Sequence, residues 1–388
     1  MLRRGVTEAR TPWLPIAAVL LAGIAAAAQL GKVPAAMTTI GAEFGLGLAA
    51  AALVVALFGL LAALGGLAIG LAAARIGARR ALLAGAAIAA GAAFAAAIAP
   101  GFPTLLAARV AEGAGFLLLT VAAPGLIAGA AQPRDRAFAM ALWGTYMPAG
   151  IALGLLGAPV VEAAGWRAAW LGYAALLAAA GAACLVLAPA APPASVAREP
   201  IAAQLRGLVG ARRPLLIALS FGSYNVVYVG IAAFLPARLE YLGEGTGAAG
   251  LAGAVAAVAN ALGNLAGGVL MRRGFAPALL THAAAPVMAV LAASVFVLPG
   301  ATLATLAAIA ACSVGGLVPA SLFALLPGSV PRAALAAPAV GLVIQGNNIA
   351  QLLAPPLIGA LAGQAWALAA GPVLLCGLVS ALAARRLR

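Results

Sequence analysis

Apolar runs of about 20 residues recur along the whole of this chain, and short gaps of glycine, proline and arginine divide them. A run of that length is what a helix needs to cross a bilayer, where every backbone N–H and C=O must be satisfied within the segment. With 388 residues the chain is long enough for two or three soluble domains. Its composition excludes them: 65% of residues are hydrophobic and 8% charged, where soluble chains carry about a quarter charged. An all-α polytopic membrane protein is the fold class expected.

The runs predict twelve spans, near 13–37, 48–71, 81–99, 103–127, 137–160 and 168–188, then 215–238, 247–270, 277–298, 301–326, 334–361 and 366–385. Arginines fall in every second gap. One set of connections holds Arg3, Arg4, Arg10, Arg75, Arg79, Arg80, Arg134, Arg136, Arg198, Arg206, Arg212, Arg213, Arg272, Arg273, Arg332, Arg385, Arg386 and Arg388. The alternate set holds only Arg167 and Arg238, beside Glu43, Glu162, Glu240 and Glu244. By the positive-inside rule both termini are cytoplasmic, as an even number of spans requires. The expected location is the plasma membrane, which is the inner membrane in a Gram-negative cell. Arg3, Arg4 and Arg10 before an apolar stretch resemble a secretory signal, but the stretch exceeds an h-region and is read as an uncleaved first helix.

A proline- and arginine-rich gap at 189–214 divides the chain into an N-terminal six-helix half (1–188) and a C-terminal six-helix half (215–388). The halves share short matches. Gly70-Leu-Ala-Ala-Ala-Arg75-Ile-Gly77 and Gly267-Gly-Val-Leu-Met-Arg272-Arg-Gly274 both fit G-x-x-x-x-R-x-G, 197 residues apart. Leu155-Leu-Gly-Ala-Pro159 and Leu352-Leu-Ala-Pro-Pro356 are related by the same offset. Duplicated six-helix halves with a site between them are a transporter architecture.

These segments carry a family resemblance. Gly70 to Arg80 resembles the loop 2–3 signature of the major facilitator superfamily. Leu105-Leu-Ala-Ala-Arg109-Val-Ala-Glu112-Gly113-Ala-Gly115 is similar to its helix 4 motif. Gly144, Gly150, Gly154 and Gly157, with Pro159 and Gly165-Trp166-Arg167, resemble its helix 5 region. The resemblance implies two pseudo-symmetric halves and a gating loop made by Gly70, Arg75, Gly77, Arg79 and Arg80. Ala74 and Met271 stand where the signature usually has an acid that latches the cytoplasmic side.

Ionisable groups kept at depth are functional candidates, because charge in hydrocarbon is expensive. Lys32, the single lysine, lies in the first span with Gln29 on the same helix face at i and i+3. It either faces a central cavity or snorkels to the nearer boundary. Arg109 and Glu112, also i and i+3, either cancel as a local ion pair or serve a substrate path, with Glu112 taking up a proton. Tyr224, Asn225 and Tyr228 in the seventh span, Asn347, Asn348 and Gln351 in the eleventh, and Tyr146 in the fifth are polar groups needing partners. A solute or a neighbouring helix supplies those partners. Cys184, Cys312 and Cys376 lie in apolar runs without metal spacing and read as small core residues.

Absences narrow the class. There is no Walker A loop to bind ATP, one histidine, and one aspartate, Asp135, in a loop. The net charge of +14 is dispersed among spans with no basic face for nucleic acid. The leading expectation is a secondary active transporter, a symporter or antiporter and not an enzyme, moving a small anion drawn by Lys32 and Arg109. The alternatives are a proton-coupled exporter of drug-like or cationic compounds using Glu112, and a polytopic receptor or scaffold. Expected partners are a small-molecule solute, protons and the lipid bilayer. The chain is expected to be a monomer with no cofactor, no metal and no nucleic acid.

Overall fold

The computed structural model describes residues 10–64, 76–189, 212–326, 328–330 and 336–387, and the described residues are helical with no strand among them. Ten of the described helices are long and apolar enough to cross a bilayer. The first six helices are α1 (Trp13–Phe44), α2 (Leu48–Leu64, shorter than the others), α3 (Ala78–Ala97), α4 (Phe102–Ala130), α5 (Phe138–Ala164) and α6 (Trp166–Leu187). The last six are α7 (Arg212–Tyr241), α8 (Thr246–Arg272), α9 (Pro277–Val297), α10 (Ala301–Leu325), α11 (Ala336–Gln364) and α12 (Trp366–Arg385). Most of the expected linker, with Gly70 and Arg75 of the expected gating loop, lies outside the described residues.

The first span differs from expectation. It runs to Phe44 as a broken rod: α-helix through Gly31, a 3-10 turn over Pro34–Ala36, and α-helix again from Met37. Pro34 has no N–H to donate and its ring crowds the preceding turn, so the ladder breaks there. The apolar pattern passes through the break unchanged, which hid it. α5 also breaks, between Leu155 and Ala158. There the Tyr173 hydroxyl of α6 reaches the carbonyls of Leu153 (2.8 Å) and Gly154 (2.9 Å).

Small residues let these helices touch backbone to backbone, replacing the hydrophobic force that lipid does not supply. A Cβ on Gly154 would stand 2.4 Å from the Ala28 carbonyl oxygen, and one on Gly31 2.1 Å from that of Ile151. α1 and α5 are therefore fused along the turn that carries Lys32.

Between the first six helices and the last six, one packing arrangement occurs twice. α5 lies on α8, where Leu155 meets Gly253 and Ala158 meets Gly250, and α11 lies on α2, where Gly359 meets Leu48 and Ala49. The 197-residue offset converts one pair into the other. The second matched segment falls in α5 and α11, and the first ends on Gly77 and Gly274, at φ +87° and +93°. Only glycine adopts that conformation without strain. The broken turn of α1 also joins the seam: Ala35 packs with Ala152, Leu155 and Ala158 of α5 and with Ala254 and Ala257 of α8.

Candidate functional site

Three charged side chains meet inside the first six helices, all 0% exposed. Lys32 Nζ donates to Glu112 Oε1 at 2.7 Å, and Arg109 Nη1 donates to Glu112 Oε2. Arg109 Nε donates to the Val54 carbonyl of α2 at 2.9 Å. The Trp170 ring of α6 lies 4.2 Å from Lys32 Nζ, and the Phe58 ring of α2 lies 4.6 Å from the guanidinium carbon. Arg109 Nη2 and Trp170 Nε1 are buried without a hydrogen-bond partner among the described residues. The aromatic faces stabilise the cations, and Glu112 bridges them.

Two expectations change here. Lys32 is not free to snorkel: α1 continues for twelve more residues to Phe44, roughly 18 Å of helix, and the ammonium is bonded to Glu112. Nor is Arg109–Glu112 a self-contained pair that leaves Lys32 as an unpaired charge. Gln29 does share a face with Lys32, but that face looks at α6. Its amide donates to the Tyr173 carbonyl at 3.2 Å, one turn from Trp170. The i, i+3 spacing was sufficient for the shared face and carried no information on which neighbour it meets.

Tyr146 joins an aromatic line. It stacks on Trp143 at 4.2 Å and lies 6.5 Å from Phe116, which is 5.1 Å from Phe58. This line ends under Arg109. In the last six helices the Phe221, Tyr224 and Tyr228 rings stack in sequence at 5.8 and 6.2 Å. Asn260 of α8 donates to the Tyr224 hydroxyl at 3.2 Å and to the Cys312 carbonyl of α10. Asn225 donates to the Asn347 carbonyl at 3.2 Å, and Asn347 reaches Asn348 Oδ1. Asn348 and Gln351 lie over Gly59 at the α2–α11 contact, where Gln345 donates to the Ala63 carbonyl. Tyr228 faces a small void between α7 and α8, lined also by Ile231, Leu235, Gly253 and Ala257, with Cys312 of α10 and Leu155 of α5 at its edge. The expected substrate residues thus fall into separate groups: the triad, Gln29 toward α6, the two aromatic lines, and the α11 amides.

Of the described gating-loop residues, Arg79 donates to the Leu185 and Ala188 carbonyls at the end of α6, at 2.6 and 3.2 Å, and Arg80 is exposed. Arg79 therefore neutralises the orphan carbonyls at a helix C-terminus. Sequence reasoning missed Trp170 and Phe58, which read as ordinary apolar residues. Their only signal was the need of a buried cation for an aromatic face.

Twelve apolar helices among the described residues, with ionisable groups sealed at depth and a doubled contact between the first six and the last six, point to a polytopic membrane transporter. A family model described as Major Facilitator Superfamily matches residues 19–343. The chain belongs to that family. Among curated proteins none matches the sequence. The fold is similar to a bacterial homolog of the human lysosomal transporter Spinster in its inward-facing, occupied conformation. That pair has a TM-score of 0.81 and 16% identity, covering 96% of this chain and 95% of that one. The unoccupied form of the same protein gives 0.81 and 15%, covering 98% of each chain. A mutant of the nucleoside transporter NupG gives 0.77 and 14%, covering 96% of this chain and 98% of that one.

Proposed function

We propose that this protein is a proton-coupled secondary transporter that works by alternating access and carries an amphipathic, drug-like solute. The observation that carries the reading is the position of the triad: Lys32 stands at the break of α1, and three residues on, Ala35 of the broken turn packs into the seam between the halves. A change in charge at the triad is thereby linked to the surfaces that must part. The void beside the seam offers the solute the Tyr228 ring, with the Tyr224 ring stacked behind it. The halves are residues 1–188 and 215–388, both termini are cytoplasmic, and the membrane is the plasma membrane.

The small-anion reading loses its first support, since the Lys32 head is bonded to Glu112. It keeps a second: two cations face one acid, and Arg109 Nη2 has no partner among the described residues. Counterflow in proteoliposomes separates the two, with tetraphenylphosphonium as the lipophilic cation and benzoate as the organic anion. Tetraphenylphosphonium exchange supports the main reading, benzoate exchange the second, and neither result with a wider solute panel would remove both. A screen of solute-induced thermal stabilisation widens the panel, because a bound solute raises apparent stability by mass action.

A further inference from the structure

Lys32, Arg109 and Glu112 carry a formal charge of +1 in a cluster where every side chain is 0% exposed. The other described acids that make contacts are engaged elsewhere: Glu43 with Trp166 and Arg167, Glu162 with Gly247, and Asp135 with Thr11. Uncompensated charge away from water is expensive, and such a group neutralises instead of persisting. Three proton movements are conceivable. Arginine does not give up its proton in proteins. A proton added to Glu112 would leave two cations and no anion, raising the charge to +2. A proton lost from Lys32 leaves Arg109 and Glu112 in balance.

Resting on the proton-coupled reading above, we propose that Lys32, and not Glu112, carries the exchanged proton, and that the broken turn of α1 passes its state to the seam. On release an Nζ–H bond breaks, the electron pair stays on nitrogen, and the proton goes to water on whichever side is open. On uptake the reverse occurs. The amine still donates to Glu112, so the 2.7 Å bond keeps its geometry. The groups facing Lys32 fit this role. α4 brings Arg109 and Glu112, and α6 brings Trp170 and, one turn on, Tyr173, whose hydroxyl is turned to α5. Among the described residues α2 and α5 bring backbone and apolar side chains. With Glu112 shared between two cations, the ammonium form needs water or a second anion to offset the remaining charge and so favours a conformation in which the seam has opened. The amine form favours the sealed conformation.

The chain's single lysine makes the test direct. With [15N]lysine incorporated, the full-length protein gives one side-chain Nζ signal, whose shift distinguishes ammonium from amine. Spin labels at the exposed positions Ala163→Cys on α5 and Ala248→Cys on α8, in an otherwise cysteine-free background, report the seam. As the pH is stepped, the Nζ signal is expected to switch forms at the same midpoint as the label separation. Lys32→Met and Lys32→Arg, one always neutral and one always charged, are expected to remove the pH dependence of that separation. Lys32→Met keeps the Arg109–Glu112 pair and serves if the bulkier arginine prevents folding. The proposal is overturned if the signal stays ammonium while the labels move, if the separation ignores pH, or if Lys32→Arg keeps the dependence. Failure of the transporter reading looks different: wild-type proteoliposomes then exchange neither tetraphenylphosphonium nor benzoate, whatever the Nζ signal does.

Discussion

The carboxylate of Glu162, near the end of α5, accepts the backbone N–H of Gly247 in the first turn of α8, 2.9 Å away. That turn has no side-chain cap of its own, and its N–H groups and dipole favour an acid. At the position equivalent by the 197-residue offset stands Gly359, whose backbone simply packs on Leu48 and Ala49. Among the described residues, one of the two related contacts thus has a charged clasp and the other has none.

Removing that clasp loosens only the α5–α8 side. Losing an N-terminal cap costs about 1 kcal/mol, which corresponds to a roughly fivefold change in population. Glu162→Ala is expected to move the distance distribution between labels at Ala163→Cys and Ala248→Cys toward the separated state by that factor. Glu162→Gln keeps an acceptor oxygen and should move it less. An unchanged distribution in both variants would mean the hydrogen bond contributes nothing to closure.

What the sequence made legible follows from how local each constraint is. The spans were readable because lipid forces each segment to satisfy its own backbone, and the arginine alternation because it is a property of gaps. The repeat is a sequence reading resting on two short segments at one offset. Lys32–Glu112 was not, because the bond joins positions 80 apart through the packing of α1 on α4. Trp170 sat in an apolar run with nothing to distinguish a ring under an ammonium from one facing lipid. The direction of the Gln29 face depended on α6, which no spacing within α1 encodes.

Gly113 fixes the depth at which Arg109 and Glu112 meet α2. A Cβ there would stand 1.8 Å from the Phe58 carbonyl oxygen, a backbone atom with no rotamer to yield. Gly113→Ala should push α4 from α2 and cost about 1–3 kcal/mol, the range for overpacking. Gly91 on α3 has nothing within 4 Å of its added Cβ. Gly91→Ala should gain about 0.5–1 kcal/mol from helix propensity. Thermal unfolding in detergent reads both, and equal effects would refute the close-approach account.

The triad predicts an asymmetry between its bridging acid and its lysine end. Glu112→Gln leaves Lys32 and Arg109 facing each other without an anion, and breaking a buried pair in this way costs about 3–5 kcal/mol. Lys32→Met leaves the Arg109–Glu112 pair balanced and places an apolar chain against Trp170, so its cost should be far smaller. Expression and thermal unfolding of the two variants measure the difference. A Lys32→Met protein as unstable as Glu112→Gln would show that Lys32 is a structural cation.

Tyr224 and Tyr228 stack on the same face of α7 but differ in what their hydroxyls do. That of Tyr224 accepts from Asn260, whereas that of Tyr228 has no hydrogen-bond partner among the described residues and its side chain lines the void beside the seam. Tyr224→Phe should therefore cost about 1 kcal/mol of stability through the lost bond and leave solute exchange near wild type. Tyr228→Ala enlarges the void and lowers stability as a large-to-small change does, so thermal unfolding is measured beside transport. The same variant should cut tetraphenylphosphonium counterflow by about tenfold, the factor set by losing roughly 1.4 kcal/mol of aromatic contact to a bound solute. If Tyr228→Ala exchanges normally and Tyr224→Phe does not, the solute passes on the α8–α10 side of Tyr224 and not along the α5–α8 seam.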